Sequence, residues 1–467
     1  MKLRIPFAVT ALALAGLGLA QSQAWEKLIT PGLTYRMEID LQLPRVIHAL
    51  RYTPGVNVSS RPEIAGEVVI DMDTETKGRE ALSTTIERNG AIAGINADFF
   101  PWTGDPLGLM VRRGELLSSP FPDRSVFAWG AGYSFAGPAT FRGSIVGSGM
   151  TLSLDGVNQE CQEDMLILNM PVGGFATSKE DALYVVLEGA QTLTPKSSFK
   201  ARVGLFTPDI KQLKVNKDQM VLVGHGVAKD KLAKLERGSE VTINIAMGGV
   251  DWDKAVNAVG GGPLLLSNGK ESIDVAKEHF GAAFATDRHP RTAIGSTPQG
   301  DVWLVVVDGR QDMSRGATLA EMAAIMRRLG CTGAINLDGG GSSTLNVMGV
   351  TMNRPSGGAE RAISNSLLLF GVDPVVGTDP GSFVIKGVPR VEMGKTASFS
   401  VVDVAGNTIP VRDVFWSAMG DAWIDQAGIL RTLKPGKCQI TAWVKGVKMT
   451  VEVTVEGASA PPPAQKS

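Results

Sequence analysis

The chain is poor in the residues and patterns on which several catalytic strategies depend. Its 467 residues include three cysteines, Cys161, Cys331 and Cys438, scattered singly with no C-x-x-C pair. Neither a disulfide framework nor a structural zinc site is expected, and at least one thiol stays unpaired within the chain. The four histidines, His48, His225, His279 and His289, show no metal-ligand spacing, and no G-x-S-x-G occurs. Zinc hydrolase chemistry and nucleophile-elbow serine chemistry therefore lack their sequence signs. Charge is almost balanced, at −1 with 20% charged and 43% hydrophobic residues, which argues against nucleic acid as a partner. Carboxylates, amides and guanidinium groups remain as the working chemistry.

Long apolar runs are also missing. The longest, residues 7–19, follows Lys2 and Arg4 and precedes the small-residue patterns GLA and SQA. It is too short to span a bilayer and reads as the core of an export signal covering residues 1–24. A periplasmic, cell-surface or secreted location without a membrane span is the expectation. The length calls for two or more domains.

What the sequence does have is centred on residues 301–344. Residues 302–307, VWLVVV, form a β-branched apolar run that reads as a strand buried on both faces of a parallel sheet. Thr318 with Glu321 three residues on offers a capping box, and Met322, Ile325, Met326 and Leu329 follow at helical spacing up to Gly330. A second short strand, residues 333–337, then runs into DGGGSS. About 25 residues separate the strands, enough for a crossover, so both strand-end aspartates, Asp308 and Asp338, should reach one sheet edge, where ligands of open α/β sheets bind. Gly339, Gly340 and Gly341 could bring successive N–H groups to an anion, flanked by the hydroxyls of Ser342, Ser343 and Thr344. No lysine follows them, so this is not a Walker loop.

Part of this unit recurs upstream. Residues 88–98, RNGAIAGINAD, superpose on residues 328–338, RLGCTGAINLD, with the Arg, Gly, Ile, Asn and Asp positions identical. Two similar helix-strand units whose Asn-x-Asp ends meet at one site are inferred, which adds Asn96 and Asp98 to the candidates. Arg291 in HPRTAIG, and Arg361 and Asn365 in RAISNSLLLF, stand at or near strand starts. Arginine suits bidentate recognition of phosphate or carboxylate.

Taken in order, GINADFF, AVGGGPLLLSNGK, HPRTAIG, NLDGGGSSTL and RAISNSLLLF resemble the phosphodiester glycosidase domain family, over about residues 28–372. The resemblance implies release of a sugar from a sugar-1-phosphodiester or a related envelope glycan. It implies a pocket of Asn96, Asp98, Arg291, Asp338, Gly339, Gly340, Ser342 and Arg361. An oxocarbenium-like transition state would need a carboxylate, with Asp338, Asp308 and Asp98 as candidates and their individual roles open. No cofactor is expected, although the same oxygen-bearing side chains could instead hold Ca²⁺ or Mg²⁺, which would make a metal-assisted phosphodiesterase the alternative enzyme; a non-catalytic envelope carbohydrate-binding protein is the alternative outside enzymes.

The fold expected for residues 25–372 is a mixed α/β (α+β) catalytic domain with a partly parallel sheet. Residues 373–382 read as a Pro/Gly-rich linker. Residues 383–456 contain short strand candidates at sandwich spacing, and within them the run VFWSA…GILRTLKPGKCQITA, with Trp416 and turns at Gly428 and Gly436, resembles the bacterial immunoglobulin-like group 2 domain, which implies a module that attaches or spaces the enzyme at the cell surface. The Ala/Pro/Ser-rich tail 457–467 should be disordered.

Overall fold

The strand expected at residues 302–307 forms, but its neighbours are not the expected ones. In the computed structural model, which describes residues 22–40, 43–66, 78–101, 104–372, 380–420 and 422–457, Val302–Val307 is buried at all six positions. It lies between Arg45–Tyr52 and Arg291–Ser296, antiparallel to both. Leu304 and Val306 enter one core, while Trp303, Val305 and Val307 enter another with Leu319, Met322, Ile325 and Met326 of the following helix. The apolar run thus reports burial on two faces, which an antiparallel sheet covered on both sides also provides.

The helix is Leu319–Arg328. Thr318 Oγ1 accepts the Glu321 N–H at 3.1 Å and the Glu321 carboxylate accepts the Thr318 N–H at 2.9 Å, closing the expected capping box. The chain then enters Gly333–Asn336, which runs in the same direction as Val302–Val307 but is separated from it by Arg291–Ser296, antiparallel to both. The crossover is therefore real, and the parallel ladder is not. All adjacent pairs of this eight-stranded sheet are antiparallel, from Gln23–Thr30 at one edge to Lys270–Glu271 at the other.

An α/β catalytic domain with a partly parallel sheet is overturned by these ladders. The protein is mostly β, with 52% strand, 10% helix and, among the described residues, four α-helices. A five-stranded sheet holds Ala93–Asn96 between Leu345–Val347 and Asn365–Phe370. Another contains Asn257–Gly260, and a second eight-stranded sheet is dominated by the long hairpin Phe175–Glu188 and Lys196–Lys214. Periodicity within a strand carries no information on the order of strands.

The strands after residue 382 gather around their own core, which includes Val401, Trp416, Leu430, Ile440 and Val453. They rest against the edge of the first sheet through Lys27, a buried side chain on Gln23–Thr30. Its Nζ donates to the carbonyls of Val411 at 2.9 Å and Gln426 at 2.8 Å, and also to that of Val414. Tyr35 and Phe415 pack alongside with ring centroids 6.2 Å apart. Most of the expected export signal and linker, and nearly all of the tail, lie outside the described residues; Gln23 and Ala24 begin the first strand. Among the described residues no helix is long and apolar enough to cross a membrane.

Candidate active site

Both copies of the repeated pattern fold alike. Helix Leu82–Asn89 ends at Gly90 in the left-handed region at φ 63°, followed by Ala93–Asn96; helix Leu319–Arg328 is followed by Gly330 at φ 88° and then Gly333–Asn336. The two strands belong to different sheets, and their ends are sewn together. The Asp338 N–H donates to Ala97 O at 2.9 Å, and Asn96 Nδ2 donates to Asp338 O at 2.7 Å. Asn96 Oδ1 accepts from Thr292 Oγ1 at 2.9 Å and from the Thr344 N–H at 3.1 Å. Asn96 thereby fixes the start and the end of the DGGGSS loop, and its side chain is buried.

The joint brings Asp98 and Asp338 close enough for their carboxyl groups to interact electrostatically. Asp98 is buried; its N–H is held by Asn365 Oδ1 at 2.6 Å, and its Oδ1 accepts the Phe99 N–H at 2.7 Å. Its Oδ2 has no hydrogen-bond partner among the described residues and lies where a Cβ at either Gly108 or Gly260 would collide with it. Burial pushes the Asp98 carboxyl up to about 7, with the Asp338 charge adding to the rise against the pull of the Phe99 amide and the Arg124 charge. Asp338 is only partly buried. Burial raises it to about 6, while the Ser342 hydroxyl, the Gly339 N–H and the Arg361 charge oppose the shift. Two carboxyl groups raised in this way are candidates for acid–base chemistry.

Several amides of the glycine loop are engaged within the protein. Gly340 N–H donates to Pro290 O at 2.8 Å, Ser342 N–H to Gly339 O and Ser343 N–H to Gly340 O. The glycines serve instead to admit two arginines. Gly340 has φ 61°, and a Cβ there would stand 3.3 Å from Arg310 Nη2; a Cβ at Gly341 would collide with the Arg361 guanidinium. Both arginines are exposed. Arg361 Nη1 reaches Ser342 Oγ at 3.4 Å, and Arg310 Nη2 lies 3.4 Å from His289 Nδ1. Neither is in an ion pair among the described residues. Arg310 was not among the sequence candidates; its position two residues after the strand-end Asp308 was the available signal.

Arg291 is placed otherwise. It is 1% exposed, with Nε donating to Ala317 O at 3.0 Å and Nη2 to Phe284 O at 2.6 Å and Asp287 O at 3.0 Å. Through these bonds its Nε and Nη2 tie its strand to Phe284 and Asp287 before it and to Ala317 after the neighbouring strand. Asp308 is likewise buried. Its carboxylate accepts from Asn353 Nδ2 at 3.0 Å and from the Arg354 N–H at 3.0 and 3.1 Å, and lies 3.4 Å from His48 Nε2. Asn353 in turn donates to Ser343 O at 3.0 Å, so Asp308 braces the DGGGSS loop from behind. Ser343 is buried, its hydroxyl accepting from Thr292 at 3.2 Å, and Ser342 is buried beneath Arg361.

On the Asp98 side stands an aromatic wall with no sequence signature. Phe280 and Phe284 stack at 4.8 Å between centroids, and Phe99 meets Phe280 at 5.5 Å. Arg124 lies over the Phe280 and Phe121 rings, at 4.2 and 4.3 Å from their centroids. Glu278 ties this wall to the GGGP segment by accepting the Leu264 N–H at 2.7 Å and the Ser125 N–H at 2.8 Å. Partly buried aromatic faces beside carboxylates suit the apolar face of a sugar ring. Among the described residues no three His, Cys, Asp or Glu side chains gather as a cation site.

Comparison with known proteins gives partial matches. The phosphodiester glycosidase family pattern matches residues 204–370, a stretch that contains Asp308, Arg310, Asp338, the glycine loop, Arg361 and Asn365 but not Asn96 or Asp98. Among individual proteins, the SPbeta prophage-derived uncharacterized protein YomE of Bacillus subtilis is 42% identical over 82 residues, 18% of this chain and 13% of that protein. The mouse N-acetylglucosamine-1-phosphodiester alpha-N-acetylglucosaminidase is 42% identical over 66 residues, 14% of this chain and 13% of its own length. The chain thus matches only a small part of these relatives. A crystal structure of a hypothetical protein from Synechocystis shares the fold, with a TM-score of 0.61 and 24% identity over 73% of this chain and 62% of that one.

Proposed function

We propose that this protein is a glycosidase that hydrolyses glycosyl phosphodiesters, releasing a sugar from a sugar-1-phosphodiester. The observation that carries the proposal is the convergence of Asp98 and Asp338, both with raised pKa values, beside two guanidinium groups lying on Gly340 and Gly341. A substrate seated there would place its phosphodiester against Arg310 and Arg361 and its sugar against the carboxylates and the Phe99–Phe280–Phe284 wall. The C1–O bond breaks and the departing phosphate takes the electron pair, its growing charge held by the two guanidiniums. Asp338, ionised at neutral pH, stabilises the positive charge on the anomeric carbon; Asp98, the more strongly raised of the two, is the neutral acid that supplies a proton as the bond breaks. Water adds its oxygen to C1, and its proton returns the carboxyl to its starting state. The family match over residues 204–370 and the name of the mouse relative support this class of substrate.

The reading of residues 1–24 as an export signal places the reaction in the cell envelope as part of the same proposal, with an immunoglobulin-like C-terminal unit that would hold the enzyme at the cell surface. The test is an assay for free sugar from UDP-N-acetylglucosamine and from a sugar 1-(methyl phosphate). Release of sugar with phosphate monoester as co-product supports the proposal. Cleavage on the other side of the phosphorus, giving sugar phosphate, would overturn it.

A further inference from the structure

Arg310 faces two ways. One side of its guanidinium lies against Gly340 in the candidate active site; the same residue also lines a separate cavity of about 210 Å³ between the catalytic strands and the C-terminal unit. Arg354 and Pro355 line it from the catalytic side, Leu433 and Lys434 from the C-terminal unit. Three cations therefore converge there. Asp312 is the acid of this lining, its carboxylate 3.4 Å from Lys434 Nζ. Among the described residues no ion pair neutralises Arg310 or Arg354, so the cavity keeps an excess of positive charge. The placement of Arg354 is itself built: Asp308 holds its N–H, and Gln311 Nε2 donates to its carbonyl at 2.7 Å.

We propose that this cavity is a subsite for a second anionic group, so that the favoured substrate is a sugar linked through a diphosphate. This rests on the glycosidase reading above and adds the substrate class. The first phosphate would lie between Arg310 and Arg361 on the glycine loop; the second, one bridging oxygen further on, would meet Arg310, Arg354 and Lys434. Guanidinium forks and an ammonium group suit phosphate oxygens on different sides. The C-terminal unit then contributes to substrate choice by carrying Lys434, which is why the Lys27 anchor that seats it bears on catalysis. A neutral aglycone would leave the cavity's charges unmatched, and discrimination comes from that difference.

The experiment compares kcat/KM for UDP-N-acetylglucosamine with that for a sugar 1-(methyl phosphate) in the full chain. Wild type should favour the diphosphate-linked sugar, and Lys434→Ala should lower that preference about tenfold, while Asp312→Ala should raise it. Lys437→Ala, which removes an exposed lysine of the same unit paired with Glu452, controls for a general charge effect and should leave the preference unchanged. An unchanged preference in Lys434→Ala, or an equal change in Lys437→Ala, overturns the subsite. If neither substrate releases sugar, the glycosidase reading fails, and the subsite is judged by calorimetric titration with inorganic pyrophosphate. Binding that weakens about tenfold in Lys434→Ala sustains it; equal binding, or none by either protein, overturns it.

Discussion

Asn96 and Asp338 are 242 residues apart in the chain and share a hydrogen bond of 2.7 Å, from the Asn96 side-chain amide to the Asp338 carbonyl. With the return bond from the Asp338 N–H to Ala97 O, the ends of two strands in different sheets become one joint. A carboxylate at such a joint cannot drift with either sheet alone. That rigidity is what a catalytic group requires, because a small misplacement of the reacting atoms costs a large factor in rate. It also explains why a short Asn-x-Asp pattern occurs twice: each copy delivers one aspartate to the joint.

Replacing Asp338 with asparagine keeps the shape of the side chain and removes the charge that faces the anomeric carbon. Sugar release should fall by at least about a hundredfold, the scale of losing one oriented electrostatic contact, while the melting temperature stays within about 2 °C of wild type. Near wild-type turnover would move the chemistry off Asp338.

Much of this site was legible in the sequence, and the reasons for the rest are physical. The strand-ending aspartates, the capping box at Thr318 and the repeated Asn-x-Asp are local patterns, and local patterns survive any arrangement of the sheets. Strand order is not local: residues 302–307 look the same whether their neighbours run parallel or antiparallel, because both faces are buried either way. Arg291 and Arg310 show the same limit among side chains. Both are isolated arginines near strand ends, and only the structure shows that Phe284, Asp287 and Ala317 hold the guanidinium of Arg291 while Arg310 stays exposed. The glycines suggested close approach to a ligand, and what approaches Gly340 and Gly341 from within the protein is guanidinium.

The pH dependence of turnover should be bell-shaped. Asp338 must be ionised, so kcat/KM rises as pH passes through about 6; Asp98 must be protonated, so it falls as pH passes through about 7. A maximum between these values is expected, and the alkaline limb should vanish from the profile of Asp98→Asn because that side chain does not titrate. A profile flat from pH 5 to 8 in wild type would contradict the assignment of both carboxyls.

Asp98 should also leave a signature in stability that does not depend on substrate. Its folded-state pKa, about 7, lies above the ordinary value of 3.8, so the folded protein binds the proton more tightly than the unfolded chain. The associated stability is fully present below about pH 4 and is lost as the pH rises through 7. Asparagine escapes that loss. Asp98→Asn should therefore melt higher than wild type at pH 8, by the equivalent of about 2–4 kcal/mol, and the difference should close toward pH 4. Equal melting temperatures across this range would show that the carboxyl is not held in its neutral form.

The three arginines should separate by substitution with lysine, which keeps the charge and loses the planar fork. Arg310 and Arg361 are exposed and lie on the glycine loop, so their replacement leaves little to destabilise. Arg310→Lys and Arg361→Lys should keep the wild-type melting temperature and lose roughly tenfold to a hundredfold in kcat/KM. Arg291 has the opposite profile: lysine cannot reproduce its donors to the carbonyls of Ala317, Phe284 and Asp287, and leaving buried carbonyls unpaired costs about 1–3 kcal/mol. Arg291→Lys should lower the melting temperature by several degrees, and protein that remains folded at low temperature should keep most of its turnover. Thermal denaturation and sugar release measured on the same preparations decide the matter. A stable Arg291→Lys with turnover lost, together with a fully active Arg310→Lys, would return the phosphate to Arg291 and remove it from the glycine loop.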